Sequence, residues 1–64
     1  MKKYDLVGIN GNAFNIIAYV KESMKKEKKS KEEIDKYISE AQSGDYDNLV
    51  FVSVNMIDEL NEKY

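Results

Sequence analysis

A mainly α domain, with a short N-terminal strand followed by three helices, is the fold class the sequence predicts. Three observations predict it. Apolar residues recur at helical spacing in three separate runs. Each run is preceded by a residue able to cap a helix start: Asn12, Ser30, and Asp45 or Asp47. Ahead of them, Tyr4 to Ile9 is rich in β-formers and alternates enough for a strand. At 64 residues the chain makes one domain, residues 1–64.

The strand runs into Gly8-Ile9-Asn10-Gly11-Asn12, where Gly8 and Gly11 suit positive φ or close backbone approach. Asn12 then caps a first helix over about Ala13 to Lys28. Its stripe is Ala13, Ile16, Ile17, Val20 and Met24, widened by Phe14, Ala18 and Tyr19. Lys25, Lys26 and Lys28 complement the C-terminal end of its dipole.

Ser30-Lys31-Glu32-Glu33 is a capping box that opens a second helix, about Lys31 to Ser43. Ile34, Tyr37, Ile38 and Ala41 are its apolar face, and Gly44 offers a left-handed C-terminal stop. The third element begins at Asp45-Tyr46-Asp47-Asn48. Leu49 to Val54 has high β-propensity, so the alternative is an α+β fold with that stretch as a second strand. The helical reading is preferred because Tyr46, Val50, Ser53, Ile57, Leu60 and Tyr64 make one stripe, with Leu49, Val52 and Met56 beside it. That reading turns Phe51 and Val54 toward the polar face of Asn55, Asp58, Asn61 and Glu62. In packing, the first helix is expected to be central, taking the other two on its Ile17/Val20/Met24 face.

Composition narrows the function. There is no Cys and no His, which removes the usual nucleophile–base pair and the commonest metal ligands. No enzyme, no metal and no cofactor is the expectation. Asp45, Asp47 and Asn48 lie close together, but the calcium-loop pattern is missing and helix capping accounts for them. No membrane-length apolar run or signal pattern occurs, so a cytoplasmic protein is expected. The formal charge of −2 conceals a split: residues 21–31 carry a local +4, and residues 32–64 a local −7. All ten basic residues are lysine, so bidentate phosphate or base recognition is not indicated and nucleic acid is disfavoured as a partner.

Two segments resemble a family of small uncharacterised proteins common in phages, prophages and mobile elements. They are Asp-x-x-Gly-x-Asn-Gly-Asn-Ala-Phe (Asp5 to Phe14) and Ser-Gly-Asp-Tyr-Asp-Asn-Leu (Ser43 to Leu49). The resemblance singles out Gly11, Asn12, Ala13 and Phe14 at one junction, and Gly44, Asp45, Tyr46 and Asn48 at the other. The family itself carries no activity over; a phage-like origin favours, by analogy, binding roles such as host takeover or counter-defence. Some members of that family continue into a C-terminal strand after the third helix; this sequence stops at Tyr64, which puts the pairing of the expected N-terminal strand in doubt.

Two binding readings follow. In the first, a small anionic ligand, such as a nucleotide signal, meets the helix starts at Gly8, Asn10, Gly11, Asn12, Asp45, Tyr46 and Asn48. The alternative is a protein-binding inhibitor or adaptor that uses Phe51, Val54 and Asp58. A homo-oligomer, most simply a dimer, is also expected. A short chain buries only about 60% of its unfolded surface, and a lone strand leaves unpaired backbone groups.

Overall fold

Three side-chain caps set the helix boundaries in the computed structural model, which describes residues 3–6, 8–9 and 11–64. Asn12 accepts from the Phe14 N–H (2.8 Å) and opens α1, Ala13–Lys26. Ser30 accepts from the Glu33 N–H (3.1 Å) and opens α2, Lys31–Ala41. Asp45 accepts from the Asn48 N–H (2.9 Å) and opens α3, Tyr46–Asn61. The Ser30 half of the expected capping box therefore forms, while the Glu33 carboxylate sits 3.7 Å from the Lys29 ammonium. α1 and α2 stop two residues short of their expected ends.

The stops themselves differ from expectation. Gly44 is not a left-handed cap; α2 ends at Gln42, with φ −93° and ψ 0°. What Gly44 supplies is room, since a Cβ there would lie 3.0 Å from the Asn48 Cβ. The left-handed stop belongs to Lys28, at φ 63°, after α1. There the Lys29 N–H reaches the Met24 carbonyl and the Lys28 N–H the Lys25 carbonyl, the paired bonds of a Schellman ending.

Leu49 to Val54 is helical, so the second-strand alternative is overturned. The helical register puts Leu49 and Ser53 into the core and Val50 and Val52 onto its flanks, and that packing outweighs the β-propensity of the valines. The expected strand at Tyr4 to Ile9 is also not found: no strand occurs among the described residues, and Val7 and Asn10 lie outside them. The Ile9 N–H instead bonds the Leu6 carbonyl (3.1 Å), with Gly8 at φ 88°. Side chains take the place of a neighbouring strand. Asn61 Oδ1 accepts from the Lys3 and Tyr4 N–H groups (3.1 and 2.9 Å), and Asn61 Nδ2 donates to the Tyr4 carbonyl (2.8 Å). The Tyr19 hydroxyl accepts from the Asp5 N–H (3.0 Å). With those groups satisfied, an unpaired strand no longer argues for a dimer.

α3, not α1, is the central helix. It packs extensively on both partners, while α1 and α2 touch each other less. The reason is its length of 16 residues and its broad apolar arc, with Leu49, Ile57 and Leu60 buried and Val50, Val52 and Met56 on the flanks. Ile16, Val20 and Met24 from α1 and Ile34, Tyr37 and Ala41 from α2 complete the core, with Tyr4 closing one side. Among the described residues, no helix is long and apolar enough to cross a membrane.

One polar pair lies inside this core. The Tyr37 and Ser53 hydroxyls are 2.7 Å apart, and both residues are buried. Burial pushes the Tyr37 phenol above its ordinary value, so it stays protonated and can donate. Ser53→Ala is expected to cost about 1–3 kcal/mol in urea denaturation, because it leaves the Tyr37 hydroxyl buried and unpaired. Adding Tyr37→Phe should return most of that loss. A double variant as unstable as the sum of its singles would contradict the pairing.

Candidate functional site

The two glycine- and asparagine-rich helix starts do meet. The Tyr46 hydroxyl, at the first turn of α3, donates to the Gly11 carbonyl just before the Asn12 cap of α1. Gly11 lies against that hydroxyl, 3.4 Å from where its Cβ would be. Asn48 faces the other way, and its Nδ2 donates to the Glu40 carbonyl at the end of α2 (2.9 Å). Of the residues proposed for a small anion, Gly11, Asn12 and Tyr46 are thus brought together. Asp45 caps α3, Asn48 rivets α3 to α2, Gly8 sits in the preceding turn, and Asn10 lies outside the described residues.

This junction offers an anion little. The Asn12 and Asp45 side chains already cap the N–H groups of Phe14 and Asn48. The Asp45 and Asp47 carboxylates add negative charge beside the positive helix end.

The residues proposed for partner contact share the outward face of α3. Phe51 is 67% exposed and Val54 40% exposed, three residues apart and therefore neighbours on the helix. Asp47, Asp58 and Glu62 are exposed on the same side. Among the described residues, none of those three carboxylates has an ion-pair partner. Beside Phe51 runs an open groove of about 340 Å³ between α2 and α3, with Tyr37, Val52 and Met56 among its lining. A second depression, about 460 Å³, lies where α1 ends and α2 begins, and its lysines and glutamates are largely paired with each other.

A further cluster was not expected from the sequence. The Glu27 side chain, at the end of α1, is only 5% exposed. Its carboxylate is met by the Lys63 ammonium (2.5 Å), the Tyr4 hydroxyl (2.5 Å) and the Tyr64 hydroxyl (2.7 Å), with the Lys3 ammonium at 3.5 Å. The Tyr4 and Tyr64 rings meet edge to face at 6.4 Å, and the Lys3 ammonium lies 4.9 Å from the Tyr64 ring centre. A sequence signal for it exists: the dipeptide Lys-Tyr stands at both 3–4 and 63–64, and each copy gives Glu27 a cation and a phenol. The cluster is held inside the chain, and it reads as a structural lock, not a ligand site. Among the described residues, no cluster of three acidic side chains is placed to hold a metal ion.

Neither a family model, nor a curated protein, nor a solved structure matches the chain.

The lock sets an acid limit on the fold. Donation from Lys63, then Tyr4 and Tyr64, holds the Glu27 carboxyl at about 2, well below its ordinary 4.5. A folded-state value below the unfolded one gives stability that is complete above about pH 4.5 and is lost as pH falls toward 2. The melting temperature should therefore fall through that window. Glu27→Gln should melt lower at neutral pH and show a shallower acid decline. An acid decline of unchanged steepness in the variant would mean that Glu27 is not the group responsible.

Proposed function

We propose that the protein is a non-enzymatic interaction module of the phage or mobile-element accessory kind. Its outward α3 face engages a basic protein surface in host takeover or counter-defence. The observation that carries this reading is Phe51, two-thirds exposed in the middle of the longest helix, with Val54 beside it. Large apolar side chains kept in water on a regular helix, rimmed by charge, are the usual make-up of a docking surface. Asp47, Asp58 and Glu62 supply the rim, and their sign selects a lysine- or arginine-bearing partner and steers its approach.

A second reading, a small anionic ligand at the paired starts of α1 and α3, has one observation in its favour. The Tyr46 hydroxyl ties the two starts together at Gly11. The occupied caps and the carboxylates of Asp45 and Asp47 weigh against it, so protein binding is preferred.

The two readings separate in one experiment. The immobilised chain is exposed to cell lysate beside its Phe51→Asp and Asn12→Ala variants. Loss of a captured protein with Phe51→Asp, by about 2 kcal/mol or more, and its retention with Asn12→Ala is the expected result. Capture sensitive to Asn12→Ala but not to Phe51→Asp, together with a melting shift on adding nucleoside phosphates, would favour the second reading instead.

A further inference from the structure

The α3 face has a counterpart on the same molecule. On the outside of α1, Phe14 is 77% exposed and Ala18 is exposed, followed by Lys21 and Lys25. On the outside of α3, Phe51 is followed by Val54, Asp58 and Glu62. From Phe14 the lysines stand seven and eleven residues on, and from Phe51 the acids stand seven and eleven residues on. Those offsets are about two and three helical turns, roughly 10 and 16 Å along either axis. Two stripes of matched spacing, apolar first and then oppositely charged, fit each other in parallel. Phenylalanine meets phenylalanine, Lys21 meets Asp58, and Lys25 meets Glu62.

We infer that the occupant of the α3 face in the free protein is the Phe14/Ala18/Lys21/Lys25 stripe of a second copy. This rests on the reading of that face as a docking surface, and it adds that self-contact and capture of a basic partner compete for Phe51. Among the described residues, the α1 stripe has one loose ion-pair competitor, the Glu22 carboxylate 3.9 Å from the Lys25 ammonium in an exposed pair. Such pairs contribute little and are readily exchanged. Because the two stripes are different surfaces, the contact is heterologous. It closes as a dimer only where both contacts form at once, and otherwise extends head to tail.

Sedimentation equilibrium of the full chain at up to about 1 mM, at low and high salt, tests the inference. The expected result is concentration-dependent association that weakens as salt rises. Lys21→Glu with Lys25→Glu should raise the dissociation constant about tenfold or more, and Asp58→Lys with Glu62→Lys should do the same. Mixing the two double variants should restore association, because each then offers the stripe the other needs. Lys25, Asp58 and Glu62 are exposed and Lys21 is half-buried, and circular dichroism of each variant checks that the helices persist. A monomer at every concentration overturns the self-contact, as does association that the charge reversals leave unchanged. Either outcome leaves the capture experiment with Phe51→Asp to stand or fall by itself.

Discussion

A carboxylate taken largely out of water has to be met by donors, and Glu27 is met from both ends of the chain. Tyr4 and Lys3 approach it from the N-terminal segment, Lys63 and Tyr64 from beyond α3. The rest of the structure depends on this meeting. It brings the first described residues and the last ones to the C-terminal end of α1. From there Tyr4 can cover the core and Asn61 can take over the Tyr4 backbone groups. The sequence has no cysteine and, among the described residues, no metal ligand cluster, and charge-assisted hydrogen bonds tie the first and last described segments together.

The same donors give the lock a second limit. The Glu27 carboxylate raises the Lys63 ammonium and the Tyr4 phenol above their ordinary values, so each holds its proton more tightly in the folded chain. Their contribution is complete below the ordinary values of 10.5 and 10.0 and is lost as pH rises past them. Across the neutral range the Glu27 carboxylate and the Lys63 ammonium are charged, the Tyr4 phenol keeps its proton, and the pairing is complete. It is therefore a fixed strut, unlike a histidine-based switch, which would titrate there.

The three helices were legible because each announced itself twice, by a cap and by a period. Asn12, Ser30 and Asp45 are short-range signals, and Ile16/Val20/Met24, Ile34/Tyr37/Ala41 and Leu49/Ile57/Leu60 are the faces behind them. The exposure of Phe51 was legible for the same reason, since the helical period turns it to the side opposite Ser53 and Leu60, with Val54 beside it. Glu27 was not legible. In the sequence it is one acid within a lysine-rich run, and its partners stand more than twenty residues before it and more than thirty after it. The N-terminal segment misled for a related reason. Tyr4-Asp5-Leu6 has strand composition, but a strand needs a neighbour, and the side chains of Asn61 and Tyr19 supply what a second backbone would have supplied. The small-ligand site was legible only in part: Tyr46 does reach Gly11, while Asn48 is committed to α2.

The charge split along the chain takes on meaning once the lysines are sorted by what they meet. Lys29 bridges Glu59 and Glu33, and Lys63 reaches back to Glu27, where Lys3 also converges, so Lys29 and Lys63 tie the C-terminal half to the segment that ends α1. Lys21 and Lys25 belong to the outer side of α1, and Asp47, Asp58 and Glu62 to the outer side of α3. Internal pairing thus occupies Lys3, Lys29 and Lys63 and leaves opposite signs on two different outward faces, each of which also carries an exposed phenylalanine. A core this small does not call for those phenylalanines to be outside, since an alanine or glutamate at 14 or 51 would serve the fold as well. The proposed contact between molecules would account for their placement, and the charge beside each one sets the sign of the surface that such a contact would take.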